Sequence, residues 1–340
     1  MLNSLYVLSE DNRLSLDNEN VVVSNRNQEV GRFPLHTIEA IFCFSYAGGT
    51  PALMGACVEK GITFSMFTPY GKFLARAVGE KQGNVLLRME QFRIADDERK
   101  SCVVGKNFII GKIYNEKWVI ERATRDHPNR IPIDNFKLVS SHLSEAINDV
   151  RTCNSLNELQ GIEGKAAQEY FSCLDNLILQ QKSDFFFDRR NRRPPIDRMN
   201  ALLSFAYSLL TRDCESALEG VGIDSYVGFI HRKHPGRRSL ALDLVEELRA
   251  CYADRFVLYC INQRIIHADD FVIQESGAVV LSESGRKVFL SEWQKRKKEM
   301  LTHPFLGEKI SWGLVPHVQA LLLARTIRGD LDEYPPFLWK

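Results

Sequence analysis

The 340 residues predict an α+β protein in two parts: a small β-rich domain over 1–81 and a larger all-α domain over 84–340. Three observations carry that expectation. Up to about residue 79 apolar and polar residues alternate with a period of two, interrupted every few residues by turn formers. Beyond Gly83 the apolar period lengthens towards four, and prolines and small polar residues punctuate it. A hydrophobic content of 44% with 26% charged residues is ordinary for a folded chain and gives each part material for a core.

In the first part Leu5-Tyr6-Val7-Leu8, Arg13-Leu14-Ser15-Leu16 and Val21-Val22-Val23 read as strands, separated by Glu10-Asp11-Asn12 and Asp17-Asn18-Glu19-Asn20. Hairpins are therefore expected to follow one another closely. Residues 30–33 and 38–44 continue the strands. Residues 51–61 read as one short helix, with Pro51 near its start and Gly61 just past its end. Residues 62–67 and 73–78 form a last hairpin around Pro69-Tyr70-Gly71-Lys72, and Gln82-Gly83 is the expected hinge. The second part is expected to be helical over 85–94, 99–125, 134–150, 156–181, 197–218, 240–267, 286–300 and 314–328, with breaks at Pro128, Pro132 and Asn154-Ser155. An extended tail at Tyr334-Pro335-Pro336-Phe337-Leu338 comes last.

The net charge of +1 announces no polyanion binder, so any such role must rest on local patches. The eight cysteines contain no CxxC pair and sit in apolar or helical surroundings, which argues against a zinc ribbon and a disulfide framework. The first residues carry neither a basic nor an apolar leader, and no apolar run is long enough to cross a bilayer. A cytoplasmic location is expected.

Chemistry concentrates between Gly228 and Arg249. Gly228-Phe229-Ile230-His231 is followed by a cationic loop, Arg232-Lys233-His234-Pro235-Gly236-Arg237-Arg238, and then by a helix from Ser239. On a helical wheel Asp243, Glu246, Glu247 and Asp254 share one face, opposite Leu244, Val245, Leu248, Cys251 and Tyr252. Glu246 lies one turn beyond Asp243, so both carboxylates can point at one site near His231. Carboxylates with an imidazole can hold a divalent metal, and neighbouring cations suit a polyanionic substrate. The competing reading is that the acids form a solvated face near a helix start and that His231 is packed.

Two further segments bear on the choice. Asp184-Phe185-Phe186-Phe187-Asp188-Arg189-Arg190-Asn191-Arg192-Arg193-Pro194-Pro195 is aromatic, then basic, and its prolines keep it from being helical; it reads equally as a solvated loop or a phosphate contact. In Gly161-Ile162-Glu163-Gly164-Lys165-Ala166-Ala167-Gln168-Glu169-Tyr170, Glu163, Ala166, Ala167 and Tyr170 fall on one helical face, where small residues let a ligand or a second helix approach. Glu163 also fits an exposed acid at a helix start.

Taken in order, Gly-Ile-Glu-Gly at 161–164, Asn-Ala-Leu-Leu-Ser at 200–204, Gly-Phe-Ile-His at 228–231 and the Asp243–Glu246 pair make the chain resemble the CRISPR-associated adaptation integrases, the Cas-one family. The likeness spans essentially the whole chain, and its overall cast is most similar to the branch that accompanies type I-C systems.

The resemblance implies a metal-dependent DNA endonuclease and integrase that inserts short foreign fragments, or spacers, into a CRISPR array. It implies Mg²⁺ or Mn²⁺ held by Glu163, His231 and Glu246, where many members carry aspartate at the last position. Asp243 matches a neighbouring acid near the site and can exchange roles with Glu246. Tyr170 and Asn200 would orient the site, and Arg189, Arg190, Arg192, Arg193, Arg237 and Arg238 would contact phosphates of double-stranded DNA, both spacer precursor and CRISPR repeat. A homodimer and a small partner, Cas-two, are implied as assembly partners, with the β domain serving dimerisation and docking. The alternatives are a repair nuclease that cuts branched DNA without joining ends, and a DNA-bridging scaffold whose acids are merely solvated.

Overall fold

Runs of β-branched and aromatic residues near the N-terminus form two small sheets, as their pleated-surface preference dictates. In the computed structural model, which describes residues 3–68, 73–79, 85–192, 194–231 and 234–340, β2 (Asn12–Asp17), β3 (Asn20–Asn25) and β4 (Gln28–Pro34) make an antiparallel three-stranded sheet. Its register runs from Asn12 opposite Asn25 to Asp17 opposite Asn20. The first strand, β1 (Ser4–Val7), does not continue this series of hairpins. It pairs in parallel with β5 (Ala40–Cys43), which pairs in parallel with β6 (Thr63–Phe67), and β7 (Phe73–Arg76) closes the second sheet antiparallel to β6. Period two fixes which face of a strand is buried but not its neighbour, and here Val7, Leu14, Val23, Ile41, Leu53 and Phe64 share one core. Between β5 and β6, α1 (Pro51–Glu59) starts at Pro51, with the hydroxyl of Thr50 accepting from the Leu53 amide at 3.3 Å. The expected turn at 69–72 and hinge at Gln82-Gly83 lie outside the described residues.

The chain divides into two compact units, residues 1–82 with 269–299 and 311–314, and residues 83–268 with 300–310 and 315–340. The first is rich in strand, and also holds β8 (Phe271–Ile273), β9 (Val279–Leu281) and α9 (Glu283–Lys298). At the basic end of α9 Lys297 is buried and Arg296 stacks 4.3 Å from the Trp312 ring. The second unit is mostly helical, with β10 (Met300–Thr302) and most of β11 (Lys309–Ser311) as a short ribbon.

Within the second unit α2 (Val85–Asp96) and α3 (Glu98–Asp126) meet at Asp97, whose carboxylate accepts from the amides of Arg99 and Lys100. The long α3 is the axle, packing against α4 (Ile133–Thr152), α5 (Leu156–Leu174) and α7 (Ser239–Leu248). Ser155 and Asp197 cap α5 and α6 (Arg198–Gly220) through the Glu158 and Asn200 amides. The helix expected over 240–267 is three pieces: α7, a π-helical segment Arg249–Asp254, and α8 (Arg255–Asn262). A wider turn inserts an extra residue and rotates the downstream side chains by about 100°. The last helix is α10 (Val315–Arg328). All eight cysteines are buried and none forms a disulfide, and no helix among the described residues is long and apolar enough to cross a membrane.

Candidate active site

The acids that share a face of α7 and its extension are not solvated. Asp243, Glu247 and Asp254 have no exposed surface, and Glu246 is 6% exposed. A buried carboxylate is tolerated only where something answers its charge or accepts its proton. Each of the four has a separate answer.

Asp243 is spent on the loop that carries His231. One carboxylate oxygen accepts from the amides of Phe229 (2.6 Å) and Ile230 (3.1 Å), and the other from the His231 amide (3.0 Å) and ring Nδ1 (2.6 Å). A carboxylate can only accept, so in the neutral ring the proton sits on Nδ1 and Nε2 carries the lone pair. The loop fits this closely because residue 228 is glycine: a Cβ there would lie 2.8 Å from both Asp243 Oδ2 and the Ser239 carbonyl carbon. From the other side, buried Gln91 donates to the Asp224 and Val227 carbonyls and accepts from the Asp224 amide. Gln160 of α5 donates to the Ile230 carbonyl at 3.0 Å, which ties the Glu163 helix to the histidine loop. A cleft of about 390 Å³ lined by Glu98, Asn157, Gln160 and His231 keeps the imidazole reachable.

Glu163 and Glu246 meet around a residue that no motif singles out. Lys112 of α3, 1% exposed, pairs with Glu163 Oε1 and stands 2.7 Å from Glu246 Oε2. Arg249 Nη2 holds the other oxygen of Glu246 at 2.6 Å. Burial would raise the Glu246 carboxyl, but Arg249, Lys112 and His231 outweigh it and bring it down to about 2. Burial likewise opposes the charge on Lys112, and the pull of Glu246 leaves it above the ordinary lysine range. One turn along α3, buried Glu116 is pushed up to about 8 by desolvation, with Glu163, Glu246 and Asp254 reinforcing the rise against the pull of Lys112. A signal for Lys112 existed in the sequence: Lys112 and Asn115 interrupt a stripe with Phe108 and Val119 at helical spacing, so an ammonium and an amide sit where apolar side chains belong.

Glu247, although adjacent to Glu246, faces away into the C-terminal tail. It accepts from the Tyr334 hydroxyl (2.5 Å), Gln319 Nε2 (3.1 Å) and the Phe337 amide (2.9 Å), while Asn115 bridges the Glu247 and Phe337 carbonyls. Desolvation still lifts it to about 7. The tail around Tyr334-Pro335-Pro336 is thus anchored from within through Tyr334 and the Phe337 amide.

Tyr170 and Tyr207 donate to the two oxygens of Asp254 at 3.0 and 2.6 Å, and burial lifts that carboxyl to about 6 despite them. Tyr170 is thus tied to Asp254, which lies beside Arg249. Asn200 is a clasp: its amide oxygen accepts from Arg190 and the Asn191 amide, and its nitrogen donates to the Arg189 carbonyl and Asp197. Arg190 is committed to Asn200 and Ser204 and stacks over Tyr207. Arg238 pairs at 2.7 Å with buried Glu215. These two hold structure, whereas Arg189, Arg192 and Arg237 are exposed. Arg193, Arg232 and Lys233 lie outside the described residues.

Two carboxylates and an imidazole nitrogen are a donor set suited to Mg²⁺ or Mn²⁺. Glu246 Oε2 is buried against the Lys112 ammonium at 2.7 Å, so an ion would take that oxygen in place of Lys112. Yet among the described residues no three His, Cys, Asp or Glu side chains are disposed to hold an ion. Lys112 pairs with both carboxylates instead. The donors fit such an ion; the arrangement is not preassembled around one.

Comparison with known proteins completes the picture. Residues 5–295 match the family model described as CRISPR associated protein Cas1. The CRISPR-associated endonuclease Cas1 1 of Chlorobaculum tepidum is 43% identical over 339 residues, covering 100% of this chain and 99% of that protein. Among solved structures, a casposase bound to integration product superposes with a TM-score of 0.84 at 20% identity over 99% of this chain and 94% of that one. A Cas6-RT-Cas1–Cas2 complex gives 0.81 at 21% identity over 99% of this chain and 36% of that one.

Proposed function

Because the chain belongs to the CRISPR associated protein Cas1 family, we propose that it is a DNA endonuclease and integrase that joins short fragments to a CRISPR array by 3′-hydroxyl attack on a phosphodiester. Its divalent ion, Mg²⁺ or Mn²⁺, would be held by Glu163, Glu246 and His231. The observation that carries the reading is the meeting of Glu163 and Glu246, from separate helices, around one buried cation while His231 acts electrostatically on Glu246. An acidic pair with an imidazole beside it is a donor set for a divalent ion, and such an ion allows phosphodiester chemistry without a covalent protein intermediate.

The bound ion would polarise the scissile phosphate and stabilise the leaving oxygen. The remaining work falls to side chains already in place. Asp243 keeps the His231 proton on Nδ1 and so presents Nε2. Arg249, paired with Glu246 and stacked 5.0 Å over the Tyr207 ring, fixes that carboxylate and adds positive charge near the phosphate. Tyr170 and Tyr207 hold Asp254, and Asn200 shapes the 189–191 segment. Exposed Arg189, Arg192 and Arg237 neutralise the backbone of double-stranded DNA, spacer precursor or repeat. A second copy of the chain and Cas2 complete the assembly. The solved Cas1–Cas2 complex of the same fold supports that partner, and the cast of the sequence supports the type I-C branch.

Glu163→Ala, His231→Ala and Glu246→Ala are each expected to abolish covalent joining of a fragment with a free 3′-hydroxyl to target DNA, while duplex binding persists. Full joining by any one purified variant would remove that residue from the assignment. Cleavage without joining by the unaltered protein would favour the repair-nuclease reading.

A further inference from the structure

We propose that Lys112 is a built-in counter-ion that occupies the meeting point of Glu163 and Glu246 until DNA arrives, so that divalent-ion uptake is coupled to DNA binding. The inference rests on the ion site proposed above. It starts from the balance of charge: Glu163 and Glu246 carry two negative charges and already face two positive ones, Lys112 and Arg249. Lys112 and Glu246 are almost fully withdrawn from water, and the side chains of Glu163 and Arg249 are 28% and 23% exposed. A divalent ion entering this balanced cluster leaves an excess of positive charge where solvent screens it poorly, which is costly. The negative charge able to offset it is the DNA phosphate.

Geometry makes the coupling specific to Lys112. Arg249 holds Oε1 of Glu246, whereas Lys112 pairs with Oε2 and with Glu163 at the same time. The two carboxylates can share an ion only after that ammonium swings out. Its flexible four-carbon stem allows the swing, and an arriving phosphate gives it a new anion. Lys112 is a positioning residue in this account: it keeps like charges together in ion-free protein and yields them when substrate is present. The protein is then poorly loaded with its ion away from DNA, which limits unguided hydrolysis.

The test is Mn²⁺ titration of the full chain by calorimetry, with electron paramagnetic resonance counting free ion, with and without a short duplex whose own Mn²⁺ uptake is subtracted. The unaltered protein is expected to bind Mn²⁺ about tenfold or more tightly with the duplex than without it. Lys112→Met is expected to bind tightly without DNA and to lose most of the duplex effect, and Lys112→Arg to keep weak DNA-free binding. Without ion, Lys112→Met is expected to melt earlier and to regain stability as Mn²⁺ is added. Equal affinity with and without duplex in the unaltered protein overturns the proposal even should Lys112→Met fail to fold. Uptake unchanged by Lys112→Met but lost in His231→Ala overturns it while leaving the ion site standing. No uptake by the unaltered protein under either condition overturns both.

Discussion

Glu116 shows what a single buried group does to this protein. Its carboxyl is held up at about 8, and those of Glu247 and Asp254 at about 7 and 6, so the folded chain keeps protons that the unfolded chain releases near pH 4. Fewer protons on the unfolded state means that stability falls as pH rises through these windows, by up to about 1.4 kcal/mol per pH unit for each proton. Glu246, brought down to about 2, works the other way and gives up its contribution only in strong acid. In chelator, the melting temperature is therefore expected to decline from about pH 6 to pH 8, and Glu116→Gln to flatten the upper part of that decline. A slope untouched by the substitution, followed by calorimetry, would show that Glu116 ionises normally. The wheel placed the acids of α7 and its extension on one face correctly, but it could not tell four individually answered carboxylates from a solvated stripe, because most of their partners come from other parts of the chain.

At the scale of the element, the loop 224–231 and the start of α7 form one unit. The Leu240 and Ala241 amides donate to the Ser225 carbonyl, while Asp243 gathers three amides of the loop. That is why α7 starts without a side-chain cap. Gly228 is the tight point. Gly228→Ala is expected to push the histidine loop off α7 and to lower strand transfer at least about tenfold while the fold persists, since small misplacements cost heavily at a reacting centre. Unchanged joining rates with an unchanged circular dichroism spectrum would contradict this. The motif Gly-Phe-Ile-His was legible as a motif; the physical demand for its glycine emerges only when Ser239 and Asp243 are seen against it. The π-helical turn was not legible at all, because nothing in the apolar period distinguishes a π-helical turn from an α-helical one across so short a span.

At the scale of the molecule, a net charge of +1 leaves DNA affinity to local arginines. Arg189→Ala, Arg192→Ala and Arg237→Ala together are expected to reduce the slope of log affinity against log salt by about 0.9 for each phosphate no longer neutralised. Arg190→Ala and Arg238→Ala are instead expected to lower the melting temperature, since Arg190 is committed to Asn200 and Ser204 and Arg238 answers buried Glu215. Filter binding across a salt series checks the first, and a slope identical to that of the unaltered protein would move the DNA surface elsewhere. Charge density marked all six arginines alike. Only packing separates those facing solvent from those answering buried groups.

By itself the sequence determined the β-rich beginning, the mostly helical remainder and the family, and it named Glu163, His231, Asp243 and Glu246 as candidates, because periodicity and motif order are local properties of the chain. The tertiary structure decided how those residues divide their work. It placed Lys112 and Arg249 between and beside the carboxylates, gave Asp243 to the loop, turned Glu247 to the tail, and paired β1 with β5. Most of these pairings join segments far apart along the chain, chosen by which buried charge or unpaired edge could be satisfied where the helices and strands come to rest.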